Sequence, residues 1–280
     1  MELINFHVHS TGSDGKLSPE EVVKEAINAG LRYMCFTDHY FYPKGDYFEG
    51  HRDKFFTEDY VKEVKRLQKE YKDKIDISFG AEMDWLPKHT DWIKNEIKRQ
   101  NFDYVLGSLH NLYAKSEYFF LFYGENWKQE WLDSANRVGG ARKFVEAYYS
   151  QIGKMAKSKL FDCVAHFDII KFYNIQNIFF SEEDLWYKKA VLKALIAVKE
   201  ADIAIEINTH GYVKPQKEQY PSFWILKEAN KMGIPITIGT DAHFQGELSK
   251  DLDKAYKLAK QAGYKEIVRF KARNRINIAI

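Results

Sequence analysis

Cysteine is nearly missing: two residues, Cys35 and Cys163, stand in 280. Both lie inside apolar runs, so they read as reduced core residues. A disulfide framework is excluded. Long hydrophobic runs are missing too. None approaches the roughly 20 apolar residues that a membrane helix needs. The opening MELINFHVHS lacks the basic and apolar regions of a secretory leader, so a cytoplasmic protein is expected. Neither charge dominates, with 42 Lys plus Arg against 40 Asp plus Glu and a net charge of +2. That balance gives no electrostatic footprint for nucleic acid. No G-x-G-x-x-G follows the first strand pattern, which weighs against a dinucleotide-binding fold. There is no repeat, low-complexity tract or compositional break, and a single domain over 1–280 is expected.

Short apolar blocks alternate with longer helical patterns. The blocks Leu3–Phe6, Tyr33–Phe36, Ile75–Gly80, Tyr104–Gly107, Asp162–Ala165, Ile203–Ile207 and Ile234–Ile238 are rich in Ile, Val, Phe or Tyr, as buried parallel strands are. Helices are expected over about 19–28, 57–72, 90–99, 140–159, 181–201, 221–231 and 249–261. The first has a strong start signal: Ser18 as cap, Pro19 at the first helical position and Glu21 three after the cap. Alternating strands and helices predict an α/β fold, either an open doubly wound sheet or a closed barrel. Seven strands rather than eight point to a distorted barrel. One stretch, 111–139, is irregular and rich in Tyr, Phe and Trp, and it reads as an aromatic loop insertion that walls the substrate or fills the core.

Every strand block ends in His, Asp or Glu. The first leads into His7-Val8-His9, the second into Asp38-His39 and the third into Glu82. The fourth leads into His110, the fifth into His166, the sixth into Glu206 through His210, and the seventh into Asp241-Ala242-His243. Side chains at the C-terminal edges of parallel strands converge on one mouth. His7 and His9 are two apart, as are Asp241 and His243, and such pairs share a face of a strand. Imidazole and carboxylate together suit zinc, manganese or iron. Of nine histidines, six (His7, His9, His39, His110, His166 and His243) fall at these edges, which chance placement rarely achieves. His51 and His89 lie in polar segments and read as solvated, whereas His210 sits at the mouth with its role open.

At these residues the sequence resembles the polymerase and histidinol phosphatase (PHP) superfamily. The matching elements are His7-Val8-His9-Ser10, Ser13-Asp14-Gly15, Thr37-Asp38-His39, Gly80-Ala81-Glu82, Ser108-Leu109-His110, Ala165-His166 and Gly239-Thr240-Asp241-Ala242-His243. They occur in family order over nearly the whole chain. Gly80–Pro87, Val105–His110 and Glu206–Thr209 with Tyr220-Pro221-Ser222 are similar to the histidinol-phosphate phosphatase branch. His210 departs from that branch, which is expected to carry a small residue there.

The resemblance implies a distorted seven-stranded TIM-like barrel with three divalent metal ions. The first ion takes His7, His9, Glu82 and Asp241; the second takes Asp14, His39 and His243; the third takes Glu82, His110 and His166. The implied reaction is hydrolysis of a small phosphate monoester, L-histidinol phosphate in histidine biosynthesis. A water shared by two metals attacks phosphorus. Asp241, His243 and Arg142 are the candidate catalytic residues, with Arg142 as the cation facing the phosphoryl oxygens and Lys171 and Lys214 as alternatives. The leaving alkoxide takes its proton from Asp241 or from a metal-bound water. Asp84, Glu206 and His210 are candidates for the substrate pocket. Three other readings stand beside this one: a superfamily relative acting on nucleotides or oligonucleotide ends, an amidohydrolase barrel, and a non-catalytic metal-binding regulatory module.

Overall fold

The computed structural model describes residues 2–44 and 54–280, so His51 lies outside the described residues. Seven parallel strands form the central sheet: β1 (Leu3–Val8), β2 (Leu31–Phe36), β3 (Asp76–Asp84), β4 (Tyr104–Ser108), β7 (Cys163–Val164), β8 (Ala204–Asn208) and β9 (Ile236–Gly239). Their spatial order follows the chain, from β1 through β4 and then β7 to β9. The two edges meet at their C-terminal ends, where Asp241 N–H donates to the His7 carbonyl at 2.8 Å and His9 N–H to the Ala242 carbonyl at 3.0 Å. The result is a nearly closed barrel. Its strands are buried along almost their whole length because side chains fill one face and helices cover the other.

The helices are α1 (Pro19–Asn28), α2 (Glu58–Glu70), α3 (Thr90–Gln100), α4 (Trp127–Val138), α5 (Ala141–Ser158), α6 (Leu185–Ala201), α7 (Phe223–Lys231) and α8 (Leu252–Gln261). The first begins with a capping box, Ser18 accepting from Glu21 N–H while the Glu21 side chain returns to the Ser18 N–H. The sixth begins at Leu185, after Asp184, rather than at Ser181. His89 stands half-buried at the N-cap position of α3 rather than on an open surface. Among the described residues, no helix is long and apolar enough to cross a membrane.

Two hairpins depart from expectation. The stretch 111–139 is not a loop: it folds as β5 (Asn111–Ala114), β6 (Glu117–Phe120) and then α4. Trp131, Ala135 and Val138 are buried at helical spacing. The chain after 261 forms a second hairpin, β10 (Glu266–Lys271) with β11 (Asn274–Ala279). It covers the N-terminal end of the barrel. Phe270 stacks on Tyr104 with ring centroids 4.9 Å apart, Ser78 Oγ donates to the Phe270 carbonyl at 3.0 Å, and Arg273 pairs with Asp162 at 2.5 Å. With that end closed, the opposite mouth is left for chemistry.

Candidate metal centre

The strand ends bring nine candidate ligands to one mouth. His7 Nε2 lies 3.0 Å from His9 Nε2. His7 Nε2 is 3.4 Å from Glu82 Oε2 and 3.4 Å from Asp241 Oδ1, and His9 Nε2 is 3.5 and 3.2 Å from the same two oxygens. A tetrahedral ion with bonds of about 2.0–2.2 Å sets its ligand atoms roughly 3.3–3.6 Å apart, and the distances from the two histidines to the two carboxylates lie close to that spacing. On the other side of Glu82, Oε1 lies 3.4 Å from His110 Nε2 and 3.1 Å from His166 Nε2, and those two nitrogens are 3.3 Å apart. A third group gathers around Asp14, whose oxygens lie 3.4 Å from His243 Nε2, 3.8 Å from His39 Nε2 and 3.7 Å from His9 Nδ1. His39 Nδ1 also reaches Glu82 Oε2 at 2.9 Å. Among the described residues, four sets each place one donor atom per residue within 4.8 Å of the others and could hold a metal ion: His9, Asp14, His39 and His243; His7, His9 and Glu82; His39, Glu82 and His110; and His210, Asp241 and His243.

The proton positions fit metal ligation. His7 Nδ1 is 2.7 Å from Glu206 Oε1 and His110 Nδ1 is 2.8 Å from Asp84 Oδ1. Each carboxylate draws the ring proton to Nδ1 and leaves Nε2 a lone pair. His243 Nδ1 and His210 Nδ1 both lie 2.8 Å from the Asp241 carbonyl oxygen and donate to it. Asp241 presents that carbonyl from a left-handed backbone, φ 53°. With His9 and His166 in the same tautomer, their Nε2 lone pairs would face those of His7 and His110, a repulsion that a cation between them relieves.

Electrostatics agree. Burial works against ionising Glu82, yet the surrounding histidines hold it well below the usual carboxylate range. Asp241 is depressed in the same way, by His7, His9, His210 and His243. Burial would lower His243, but Asp14 and Asp241 prevail and push it up to about 9. Burial likewise opposes the rise at His7, which Glu206, Asp241 and Glu82 impose. The cluster draws positive charge, and protons compete there with metal ions. At His210 burial prevails and the pKa falls below the ordinary histidine value.

Several expected substrate contacts are placed otherwise. Glu206 is fully buried behind His7, where it also accepts from His166 N–H at 2.9 Å and Asn208 Nδ2 at 3.1 Å. Gly239 is required beside it, since a Cβ there would stand 2.1 Å from Glu206 Oε1. Asp84 lies behind His110 and accepts a short hydrogen bond from Tyr42 Oη. Neither acid lines the cleft. Arg142 does not reach the mouth: its side chain is 64% exposed, pairs with Glu146 at 2.9 Å and lies over Trp186 in an outer groove between α5 and α6. Its position follows from α5 starting in the outer helical layer. Lys171 is buried and neutralised by Asp168 at 3.0 Å and Glu218 at 2.9 Å. Lys214 does line the mouth, with His210.

The mouth is a cleft of about 270 Å³. Candidate ligand residues line it together with Phe120, Phe122, Ile169, Phe172 and Tyr220. Phe120 and Phe122 belong to the aromatic stretch 111–139, for which the sequence suggests a substrate wall, whereas Phe172 carries no sequence signal. Two further residues stand in the strand-end motifs without a role assigned from sequence. Asn208 Nδ2 reaches Glu206 and, at 3.3 Å, Asp241, from a position two after Glu206 on the same strand face. Asp38, at the end of β2, accepts from Ser10, Ser13 and Tyr60 and fixes the loop that carries Asp14.

A family profile described as the PHP domain matches residues 5–210. The probable histidinol-phosphatase of Deinococcus radiodurans is 30% identical over 256 residues, covering 91% of this chain and 89% of that protein. The histidinol-phosphatase of Lactococcus lactis subsp. lactis is 30% identical over 276 residues, covering 96% of this chain and 95% of that protein. The crystal structure of histidinol phosphate phosphatase from Lactococcus lactis subsp. lactis, complexed with zinc, L-histidinol and phosphate, matches with a TM-score of 0.76 at 24% identity and covers 98% of each chain.

Proposed function

Because the chain belongs to the PHP domain family, we propose that its metal-lined cleft hydrolyses L-histidinol phosphate to L-histidinol and phosphate, a step of histidine biosynthesis. The observation that carries this reading is the division of Glu82: one carboxylate oxygen faces His7, His9 and His39, and the other faces His110 and His166. That division supports a bridged centre of three divalent ions, zinc among the candidates. One ion would be held by His7, His9, Glu82 and Asp241, a second by Asp14, His39 and His243, and a third by Glu82, His110 and His166. Bound metals would supply a water of lowered pKa and neutralise charge on the phosphoryl oxygens.

The chain's own groups do the rest. Asp241 faces the cleft as a carboxylate, its side chain 17% exposed and oriented by Asn208. It accepts the proton of the attacking water and returns it to the alkoxide oxygen as the P–O bond breaks. Lys214, which forms no ion pair among the described residues, brings positive charge to the phosphate oxygens. Glu206 and Asp84 keep the His7 and His110 rings in the ligating tautomer.

The test is phosphate release by metal-reconstituted protein from L-histidinol phosphate, mononucleotides, a 3′,5′-nucleoside bisphosphate and a short oligonucleotide. The expected kcat/KM for histidinol phosphate is about 10⁴ M⁻¹s⁻¹ or more, roughly a hundredfold above the others, which is about 2.7 kcal/mol of transition-state discrimination. A nucleotide that outruns histidinol phosphate overturns the substrate assignment. Lys214→Met is expected to lower kcat/KM by about tenfold or more while Lys214→Arg retains most of it. Equal activity in Lys214→Met removes Lys214 from the phosphate site.

A further inference from the structure

Among the described residues, the organic half of the cleft has no carboxylate of its own. Among the described residues lining it, the carboxylates are Asp14, Glu82 and Asp241, and all three face the histidine groups. Asp84 and Glu206, the acids best suited to a cationic head group, are committed behind His110 and His7. Beside the candidate metal ligands, the described lining offers a set of aromatic rings. Phe122 lies 5.4 Å from the His110 ring and meets Phe172 edge-on, with centroids 5.6 Å apart and planes at 83°. Phe120 continues the wall at 5.7 Å from Phe122 and is 50% exposed at the rim, an arrangement that core packing does not explain. A cation already sits near one of these faces, with Lys214 Nζ 5.9 Å from the Phe172 centroid.

The wall is built rather than incidental. Phe122 comes from the segment after β6, and Phe172 from the turn after β7. The residues that follow them are tied together: Tyr173 Oη donates to the Tyr123 carbonyl at 2.7 Å and accepts from Tyr123 N–H at 2.9 Å. The turn before Phe172 is held by the buried ammonium of Lys171, bound to Asp168, Glu218 and Ser222. Two segments distant in sequence are thereby fixed at one spacing, and each presents an aromatic ring beside the reacting centre.

We infer that Phe122 and Phe172 are the specificity-determining residues of the cleft, packing against the imidazole ring of the leaving group and selecting ring-bearing phosphate esters over aliphatic ones. The inference rests on the reaction proposed above and deepens it, since the leaving group is recognised by aromatic faces rather than by an acidic pocket. A neutral imidazole stacks on such faces, and a protonated one adds a cation–π attraction.

The experiment compares L-histidinol phosphate with O-phosphoethanolamine, which carries the ammonium and the phosphate but no ring. The holoenzyme is assayed with Phe122→Leu, Phe172→Leu and the corresponding tyrosine variants. Each leucine variant is expected to lower the ratio of the two kcat/KM values by about tenfold and to raise the inhibition constant of L-histidinol by a similar factor. The tyrosine variants keep the ratio near that of the parent. Equal losses on both substrates, or an unchanged ratio in both leucine variants, overturn the inference even where the parent protein prefers histidinol phosphate. A parent protein without that preference overturns the reaction assignment itself, and the inference with it.

Discussion

Glu82→Gln is expected to lower kcat/KM for phosphate-ester hydrolysis by at least about a thousandfold, with loss of bound metal, because one neutral amide replaces the charge that joins two groups of ligands. The parent carboxylate is 2% exposed and lies within 3.5 Å of five histidine rings. Its two oxygens are divided between those rings, so neither is spare. An amide keeps one oxygen and turns an NH₂ group toward the other side. That group has no lone pair for a metal and points hydrogens at nitrogens that must stay unprotonated. Metal content by plasma emission spectroscopy and phosphate release on the same preparation check the prediction. Thermal unfolding guards against trivial misfolding. Full metal content with near-parent activity would dissolve the bridging role of Glu82 and with it the case for a multinuclear centre.

The barrel and the gathering of His, Asp and Glu at its mouth were legible because both follow from spacing. A parallel strand buried on two faces reads as a short apolar block, and its last residues fall at one mouth. His7 and His9, or Asp241 and His243, then share a direction. The two hairpins were illegible because their turns carry no glycine or asparagine at the left-handed positions. Lys115 and Ser116 sit at φ 51° and 66°, and Ala272 and Arg273 at 48° and 63°, where Asn-Gly is the usual signal. The error over Arg142 has a different origin. Gly139-Gly140-Ala141 marks a helix start, but a helix start says nothing about which layer the helix occupies. Depth was also invisible for the acids. Sequence gives the strand end on which Glu206 and Asp84 lie, whereas only packing decides whether an acid faces the substrate or the back of a ligating ring.

That distinction has a measurable consequence at Glu206. Its Oε1 lies 2.7 Å from His7 Nδ1, while Oε2 accepts from His166 N–H and Asn208 Nδ2. In Glu206→Gln one of two faults must occur. If the amide NH₂ faces His7, the ring takes its proton on Nε2 and loses the ligating lone pair. If the amide oxygen faces His7, the NH₂ confronts two other donors in a fully buried site. Gly239 packs against this carboxylate so closely that it has little room to move away. Metal affinity is expected to fall by about ten- to a hundredfold, as when other carboxylates behind metal-bound histidines are lost. A metal titration of the chelator-stripped protein, followed by calorimetry and by phosphate release, reads the shift directly. Excess metal should restore kcat/KM to within a few-fold of the parent, with KM for the phosphate ester little altered. A substrate-binding Glu206 would give the opposite pattern, a raised KM that no amount of metal corrects, and that result would return the residue to the pocket wall.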